Sequence, residues 1–145
     1  MKTSSSEPLA ITGYVTPQQF GPFIMPVPAQ NSCLREYANL MNFSYNMPQC
    51  EHIFSRCYMQ LFSTLTSIEP GGNIVMYSFH MMPKDAGKMK NILDIQQQKK
   101  LTFHFVLEKK IARTNDELKE MAKVLQVADM IKRNDERRQE LRKFL

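Results

Sequence analysis

The 145-residue sequence contains no tryptophan, only five glycines and only three cysteines. So few cysteines, in an odd number, exclude a disulfide-stabilised scaffold. Gly71-Gly72 is not followed by the lysine and hydroxyl residue of a phosphate-binding loop, and the remaining glycines form no dinucleotide fingerprint. No apolar run approaches the roughly 18 residues of a membrane span, and residues 1–8 lack the apolar core of a secretory signal. We therefore expect an intracellular protein, cytoplasmic or nuclear, with reduced cysteines.

Residues that could carry catalysis or bind a metal are also scarce. Cys50, His52 and Cys57 are of the types that bind zinc, but their spacing fits no closed pattern, and a fourth ligand would have to come from Cys33, His80 or His104. On a helix, Cys50 and Cys57 fall on the apolar face, where cysteine behaves as a small hydrophobe. No carboxylate pair stands in an apolar setting that would raise a pKa for acid catalysis. The sequence predicts no catalytic residue, no metal site, no cofactor and no enzyme.

The C-terminal third, 114–145, contains the strongest pattern. Thr114 and Glu117 have the spacing of a capping box, in which each side chain bonds the other residue's amide. No proline or glycine follows, and good helix formers dominate, so we predict one long helix. From Lys132 to Glu140 every residue is polar or charged, and such a stretch cannot be buried in a small domain. We expect this second half to project from the body.

Apolar residues on this helix are the candidate partner-binding residues. A stripe along the first half would pack on the protein's own sheet or against a second helix, and a small apolar tip would anchor a partner or fray. The candidates are Met121, Leu125, Ala128, Ile131, Leu141, Phe144 and Leu145.

The N-terminal part divides into a polar tail, 1–9, and an extended proline-rich arm, 10–31. Pro17, Pro22, Pro26 and Pro28 argue against a regular helix in the arm. Its apolar residues need a surface to cover, either on the same domain or on a neighbouring subunit.

The core, 32–113, is predicted to be α+β. Two strands are expected, at 73–82 and 101–108, packed with two or three short helices. One helix would begin near Ser32, one would follow Pro48 with Cys50, Cys57 and Leu61 on one face, and a short one would lie between the strands. The two strands would pair in parallel if that helix connects them as a crossover, or antiparallel if they form a hairpin with a long basic loop.

The excess positive charge is concentrated in one segment. Eight lysines and arginines stand against three acidic residues over 84–113, and this segment carries the whole net charge of +5. Lysines can neutralise phosphates without reading base sequence, although a solvated surface is the commoner explanation. The candidate nucleic-acid-binding residues are Lys84, Lys88, Lys90, Lys99, Lys100, Lys109, Lys110 and Arg113.

Two functional hypotheses follow. The first is a non-enzymatic interaction or assembly module that self-associates, or binds a protein partner, through its C-terminal helix. The alternative is a basic RNA- or DNA-binding protein, such as a small viral or chromatin-associated structural protein, that uses 84–113.

Overall fold

A computed structural model describes residues 8–20, 24–48, 50–51, 53 and 57–143. The strands are β1 (Ala10–Tyr14), β2 (Ser44–Asn46), β3 (Asn73–Met76), β4 (Thr102–Phe105) and β5 (Lys110–Ala112). The α-helices are α1 (Val27–Leu40), α2 (Met59–Ser67), α3 (Ala86–Lys99) and α4 (Asn115–Lys143), and a 3-10 turn spans Phe79–Met81. The strands form one sheet in the order β2-β1-β3-β4-β5.

The sheet is mixed. β1 pairs in parallel with β2 on one side and β3 on the other, β3 pairs in parallel with β4, and β5 runs antiparallel to β4. Gly13 leaves room for the Tyr45 ring of β2, because a β-carbon at this position would lie 2.5 Å from the hydroxyl oxygen of Tyr45. That hydroxyl donates to Asn31 Oδ1 at 2.6 Å and so ties β2 to α1.

Helices cover both faces of the sheet. On one face, Leu34 and Ala38 of α1 pack against Ile11 and Val75. The other face carries the larger core, to which α2, α3 and the start of α4 contribute Leu61, Leu65, Met89, Ile92 and Leu118. Strands covered on both sides in this way are typical of α/β proteins with parallel sheets.

The predicted α+β class with a two-stranded sheet is therefore wrong, and the fold is α/β with a five-stranded mixed sheet. The predicted proline-rich arm is also wrong. Its first residues form β1, an interior strand of the sheet, and its last residues begin α1, with Pro26 at the N-cap and Pro28 in the first turn. Proline is tolerated there because the first helical amides have no partner within the helix.

The helix predicted to follow Pro48 is wrong as well. Residues 50–51, 53 and 57–58 lie outside regular structure, and α2 begins at Met59. The apolar periodicity was misleading, since Ile53 is 77% exposed while the charged Glu51 is buried. The helix that we placed near Ser32 starts earlier, at Val27, and it buries Leu34 and Ala38.

The two predicted strands are shorter than expected but parallel. β3 ends at Met76, and the chain then turns through the 3-10 segment instead of continuing to Met82. β4 ends at Phe105. The helix predicted between the strands is α3, on which Met89 and Ile92 are buried. That helix connects β3 to β4 and makes their parallel pairing possible.

α4 starts close to the predicted cap. The Glu117 amide donates to Thr114 Oγ1 at 3.3 Å, as a capping box requires, but the Glu117 carboxylate accepts from the Thr114 hydroxyl instead of its amide. Leu118 is buried, Met121 and Ala122 pack against the core, and residues 134–143 are exposed. Within the described residues, no helix combines the length and apolarity needed to cross a membrane.

Candidate functional site

The sheet order locates the candidate site before any side chain is considered. β1 connects through α1 to β2, its neighbour towards one edge of the sheet. β3 connects through α3 to β4, its neighbour towards the other edge. Open parallel sheets bind ligands where such connections diverge, in the crevice beyond the carboxyl ends of the strands. In this order the crevice lies beyond β1 and β3. Its walls are therefore the segments 15–20 and 77–82.

On the β1 side, a threonine is fixed by a buried glutamine from α1. The Thr16 amide donates to Gln30 Oε1 at 3.1 Å, and Gln30 Nε2 donates to the Thr16 carbonyl at 2.7 Å and to the Met25 carbonyl at 2.8 Å. The Thr16 hydroxyl accepts from the Gln18 amide at 3.2 Å. Gln30 is fully buried and Thr16 nearly so. A hydroxyl group is thus held in one position at the end of an interior strand, β1.

A buried carboxylate closes the neighbouring side of the crevice. Glu51 accepts from the Tyr14 hydroxyl at 3.0 Å and from the amides of Gln60 and Leu61, at 3.1 and 3.2 Å, in the first turn of α2. The helix N-terminus offsets the negative charge of Glu51. Burial, and secondly the charge of Glu51, raise the pKa of Tyr14 far above its usual value, so this phenol stays protonated.

On the β3 side, a second carboxylate orders the turn. Ser78 Oγ donates to Glu108 Oε2 at 2.7 Å, and the Phe79 amide donates to Glu108 Oε1 at 3.0 Å. The His80 amide donates to Ser78 Oγ at 3.1 Å. The rings of Phe20 and Tyr77 lie 6.2 Å apart and connect the two walls of the crevice. The Ser78 hydroxyl is fully buried, donates to Glu108 and accepts from the His80 amide, so these contacts within the turn give it a structural role.

The structure divides the predicted basic residues between the two edges of the sheet. Helices that follow parallel strands begin at the carboxyl edge, so Lys84 and Lys88 lie there, with Lys90 in the next turn of α3. Lys88 Nζ is 5.4 Å from the centre of the Tyr58 ring. The β4–β5 turn brings Lys109 and Lys110 to the same edge.

The other three basic residues lie at the opposite, amino edge. Lys99 Nζ donates to the carbonyls of Leu65, Thr66 and Ile68 at the end of α2, so this ammonium is structural. Lys100 ends α3 with a positive φ of 55°. Arg113 follows β5.

Those predicted partner-binding residues that the structure describes lie on α4 and do not join the basic residues at the carboxyl edge or those at the amino edge of the sheet. Met121 is half-buried against the core, whereas Ile131 and Leu141 are 57% and 63% exposed. The side chains of Leu125 and Ala128, and the whole of Phe144 and Leu145, lie outside what the structure describes.

The cysteines and histidines do not converge in the described part of the chain, where no group of three potential ligands is found. His80 is in the 3-10 turn, not on a strand, and His104 sits in the middle of β4. Cys33 and Cys57 are half-buried and Cys50 is exposed.

Thr16, Gln30 and Glu51 were not predicted from the sequence. The alternation of Ile11, Gly13 and Val15 is a strand signal, and it was outweighed by the prolines that follow. Recognising β1 as a strand would have drawn attention to Thr16 as the polar residue at its end.

Two solved structures share this fold. The crystal structure of the N-terminal catalytic domain of TP901-1 integrase matches with a TM-score of 0.58 and 13% identity, over 86% of this chain and 97% of that one. A resolvase family site-specific recombinase from Streptococcus pneumoniae matches with a TM-score of 0.54 and 16% identity, over 90% and 93%. No protein-family model and no curated protein matches the chain. At these identities the likeness is one of fold.

The likeness overturns the predictions of a non-enzymatic module and of association through the C-terminal helix as the function. The fold is shared with the catalytic domain of an integrase and with a site-specific recombinase. The sequence did not reveal this fold, because the strands are short and because the residues of the crevice are far apart along the chain.

Proposed function

We propose that this chain is a DNA-acting enzyme of the recombinase type, which exchanges phosphodiester bonds in the crevice beyond β1 and β3. The observation that carries the proposal is the placement of a fixed hydroxyl, Thr16, at the switch point of a fold shared with two recombinase structures. Cleaving and rejoining DNA needs a nucleophile, and a hydroxyl group is one of the common choices.

Thr16 is proposed as the nucleophile. Its Oγ1 attacks the phosphorus of a DNA phosphodiester, the new bond joins Oγ1 to phosphorus, and the bond from phosphorus to one deoxyribose oxygen breaks. The proton of the threonine hydroxyl passes to the released oxygen. The reverse reaction with a different DNA end would rejoin the strand without an external energy source. Gln30 would act as a positioning residue, since it bonds the backbone of Thr16 and not its hydroxyl.

The lysines at the carboxyl edge are proposed to bind the DNA backbone. Lys84 and Lys88 flank the start of α3, whose N-terminus itself favours anions, and Lys109 and Lys110 lie on the hairpin at the same edge. Lys99 is left out because its ammonium group already binds three carbonyls. This interface would be electrostatic and largely independent of base sequence.

The test of binding is the affinity for a duplex DNA measured against salt concentration. Each lost phosphate contact should lower the slope of log affinity against log salt by about 0.9. The double variant Lys84→Gln/Lys88→Gln should therefore lower the slope by about 2. Lys119→Gln/Lys123→Gln, two exposed lysines of α4, is the matched control and should leave the slope unchanged. Equal slopes for both variants would remove the carboxyl edge from the interface.

The test of chemistry is a covalent protein–DNA adduct on a denaturing gel, with fluorescent duplexes that carry a single nick. The unaltered protein and Thr16→Ser should form the adduct, and Thr16→Val, which has the same shape without the hydroxyl, should form none. A thermal melt of Thr16→Val checks that it is folded. An undiminished adduct in Thr16→Val, or no adduct with the unaltered protein on any of the duplexes, would overturn the proposed reaction.

A further inference from the structure

A cavity of about 350 Å³ lies beside the proposed DNA site, between the 3-10 turn, the β4–β5 hairpin and the first turns of α4, and shares Lys110 with it. Its apolar lining comes from Phe79, Ile111, Met121 and Val124. The volume falls in the range of small-molecule sites, roughly 300–1,000 Å³. Thr16, Lys84 and Lys88 are not among its lining residues.

The charge of the cavity is opposite to that of the protein. Three carboxylates, those of Glu108, Glu117 and Glu120, line it together with one ammonium group, that of Lys110. The whole chain has a net charge of +5. This excess of carboxylates would repel a phosphate, so the proposed DNA interface shares Lys110 with the cavity but does not extend into it. A positively charged group would be attracted.

One of the carboxylates is fixed in place. Glu108 accepts a hydrogen bond on each oxygen, from the buried Ser78 hydroxyl at 2.7 Å and from the Phe79 amide at 3.0 Å. Both donors belong to the turn that follows β3, so the hairpin and this turn hold the carboxylate between them. A carboxylate held in this way loses little conformational freedom when a ligand binds, and such preorganisation favours affinity.

We propose that this cavity binds an organic cation, an amine or guanidine carried on an apolar body. The apolar part would lie on Phe79, Ile111 and Met121, and the charged group would bind Glu108 and Glu120. An apolar lining with a small number of placed polar groups is the usual composition of a small-molecule site. The proposal goes beyond the proposed DNA reaction and does not depend on it.

The experiment compares three probes with one apolar body and different head groups: 4-phenylbutylamine, 4-phenylbutanol and 4-phenylbutyrate. Binding is followed by NMR of the full chain labelled at its methionine methyl groups, with the Met121 signal assigned from Met121→Leu. The amine should shift the Met121 signal and bind about tenfold more tightly than the alcohol, with the carboxylate weakest. Glu120→Gln should remove most of this preference. Glu140→Gln, on the exposed part of the same helix, should leave it intact.

Three results would overturn the proposal. Equal affinity for the amine and the alcohol would show that the charge of the cavity is not used. An equal effect of Glu120→Gln and Glu140→Gln would show a general electrostatic effect instead of a site. Binding of the peptide acetyl-Leu-Arg-Leu-amide, with no binding of the amine, would assign the cavity to a polypeptide and not to a small molecule.

Discussion

His104 is a polar side chain in the middle of the sheet, and both of its ring nitrogens are bonded. Nδ1 lies 2.7 Å from the Tyr37 hydroxyl of α1, and Nε2 lies 3.0 Å from Asn73 Oδ1 on the neighbouring strand. The neutral ring satisfies both contacts when Nε2 donates and Nδ1 accepts. The rings of Tyr37 and Phe43 meet His104 edge-on, at 5.6 and 5.4 Å. Protonating Nδ1 would force the Tyr37 hydroxyl to change from donor to acceptor and would place a charge in the core.

We predict that His104 makes the protein sensitive to acid. Burial, and secondly the charge of Arg113, lower the pKa of His104 from 6.5 to about 4. Because this pKa is lower in the folded than in the unfolded chain, the contribution of neutral His104 is complete above about pH 6.5 and is lost as the pH falls towards 4. The loss is about 1.4 kcal/mol per pH unit in that window.

The measurement is urea unfolding at pH 7.5, 5.5 and 4.5 for the unaltered protein and for His104→Gln, which cannot titrate. The difference in unfolding free energy between the two should shrink as the pH falls, because only the unaltered protein has a histidine to protonate. Parallel pH dependences in the two proteins would contradict the assignment to His104.

Gln30 is the second residue whose polar bonds hold two elements together. We predict that Gln30→Met, which keeps the approximate shape, destabilises the protein by about 2–4 kcal/mol, because the amide and carbonyl of Thr16 lose their buried partner. Thermal unfolding measures the loss. Gln98→Met, at an exposed position of α3, is the control and should change stability by less than about 0.5 kcal/mol. Equal effects of the two changes would exclude a special role for Gln30.

At the scale of elements, the sequence predicts helices and strands whose positions follow from the spacing of apolar residues. It does not predict an element whose start depends on one long-range contact. α3 and the buried residues of β3 and β4 follow from the spacing of Met89, Ile92, Val75 and Phe103. The start of α2 does not, because it depends on a carboxylate, Glu51, that binds the first amides of the helix from a preceding loop. No local pattern distinguishes this glutamate from an exposed one.

The other end of α2 depends on Lys99 in a similar way. We predict that Lys99→Met destabilises the protein by about 2–3 kcal/mol, since the carbonyls of Leu65, Thr66 and Ile68 lose a charged donor at the negative end of the helix. The midpoint of urea unfolding measures this change. Lys90→Met, at an exposed position of α3, removes the same charge without these bonds and should have little effect. Similar midpoints for the two variants would show that the bonds contribute nothing.

At the scale of the whole molecule, neither the sheet order nor the candidate site was available from the sequence. The interior position of β1 depends on pairings with residues 44–46 and 73–76, far along the chain. The site depends on Thr16 meeting Gln30, 14 residues away, and on Tyr14 meeting Glu51, 37 residues away. Local periodicity carries no information about such contacts. The prolines after β1 then favoured an arm over a strand.

Hydrogen exchange distinguishes an interior strand at β1 from a surface arm in a single measurement. In the described sheet β1 pairs on both sides, whereas β2 and β5 lie at its edges. We therefore predict that amides of Ile11 to Tyr14 exchange as slowly as those of β3, near the limit set by global unfolding, and that amides of Ser44 to Asn46 exchange faster. An N-terminal arm lying on the surface would open without unfolding the core. Fast exchange over Ile11 to Tyr14, with slow exchange in β3 and β4, would contradict the sheet order and remove the crevice that places Thr16.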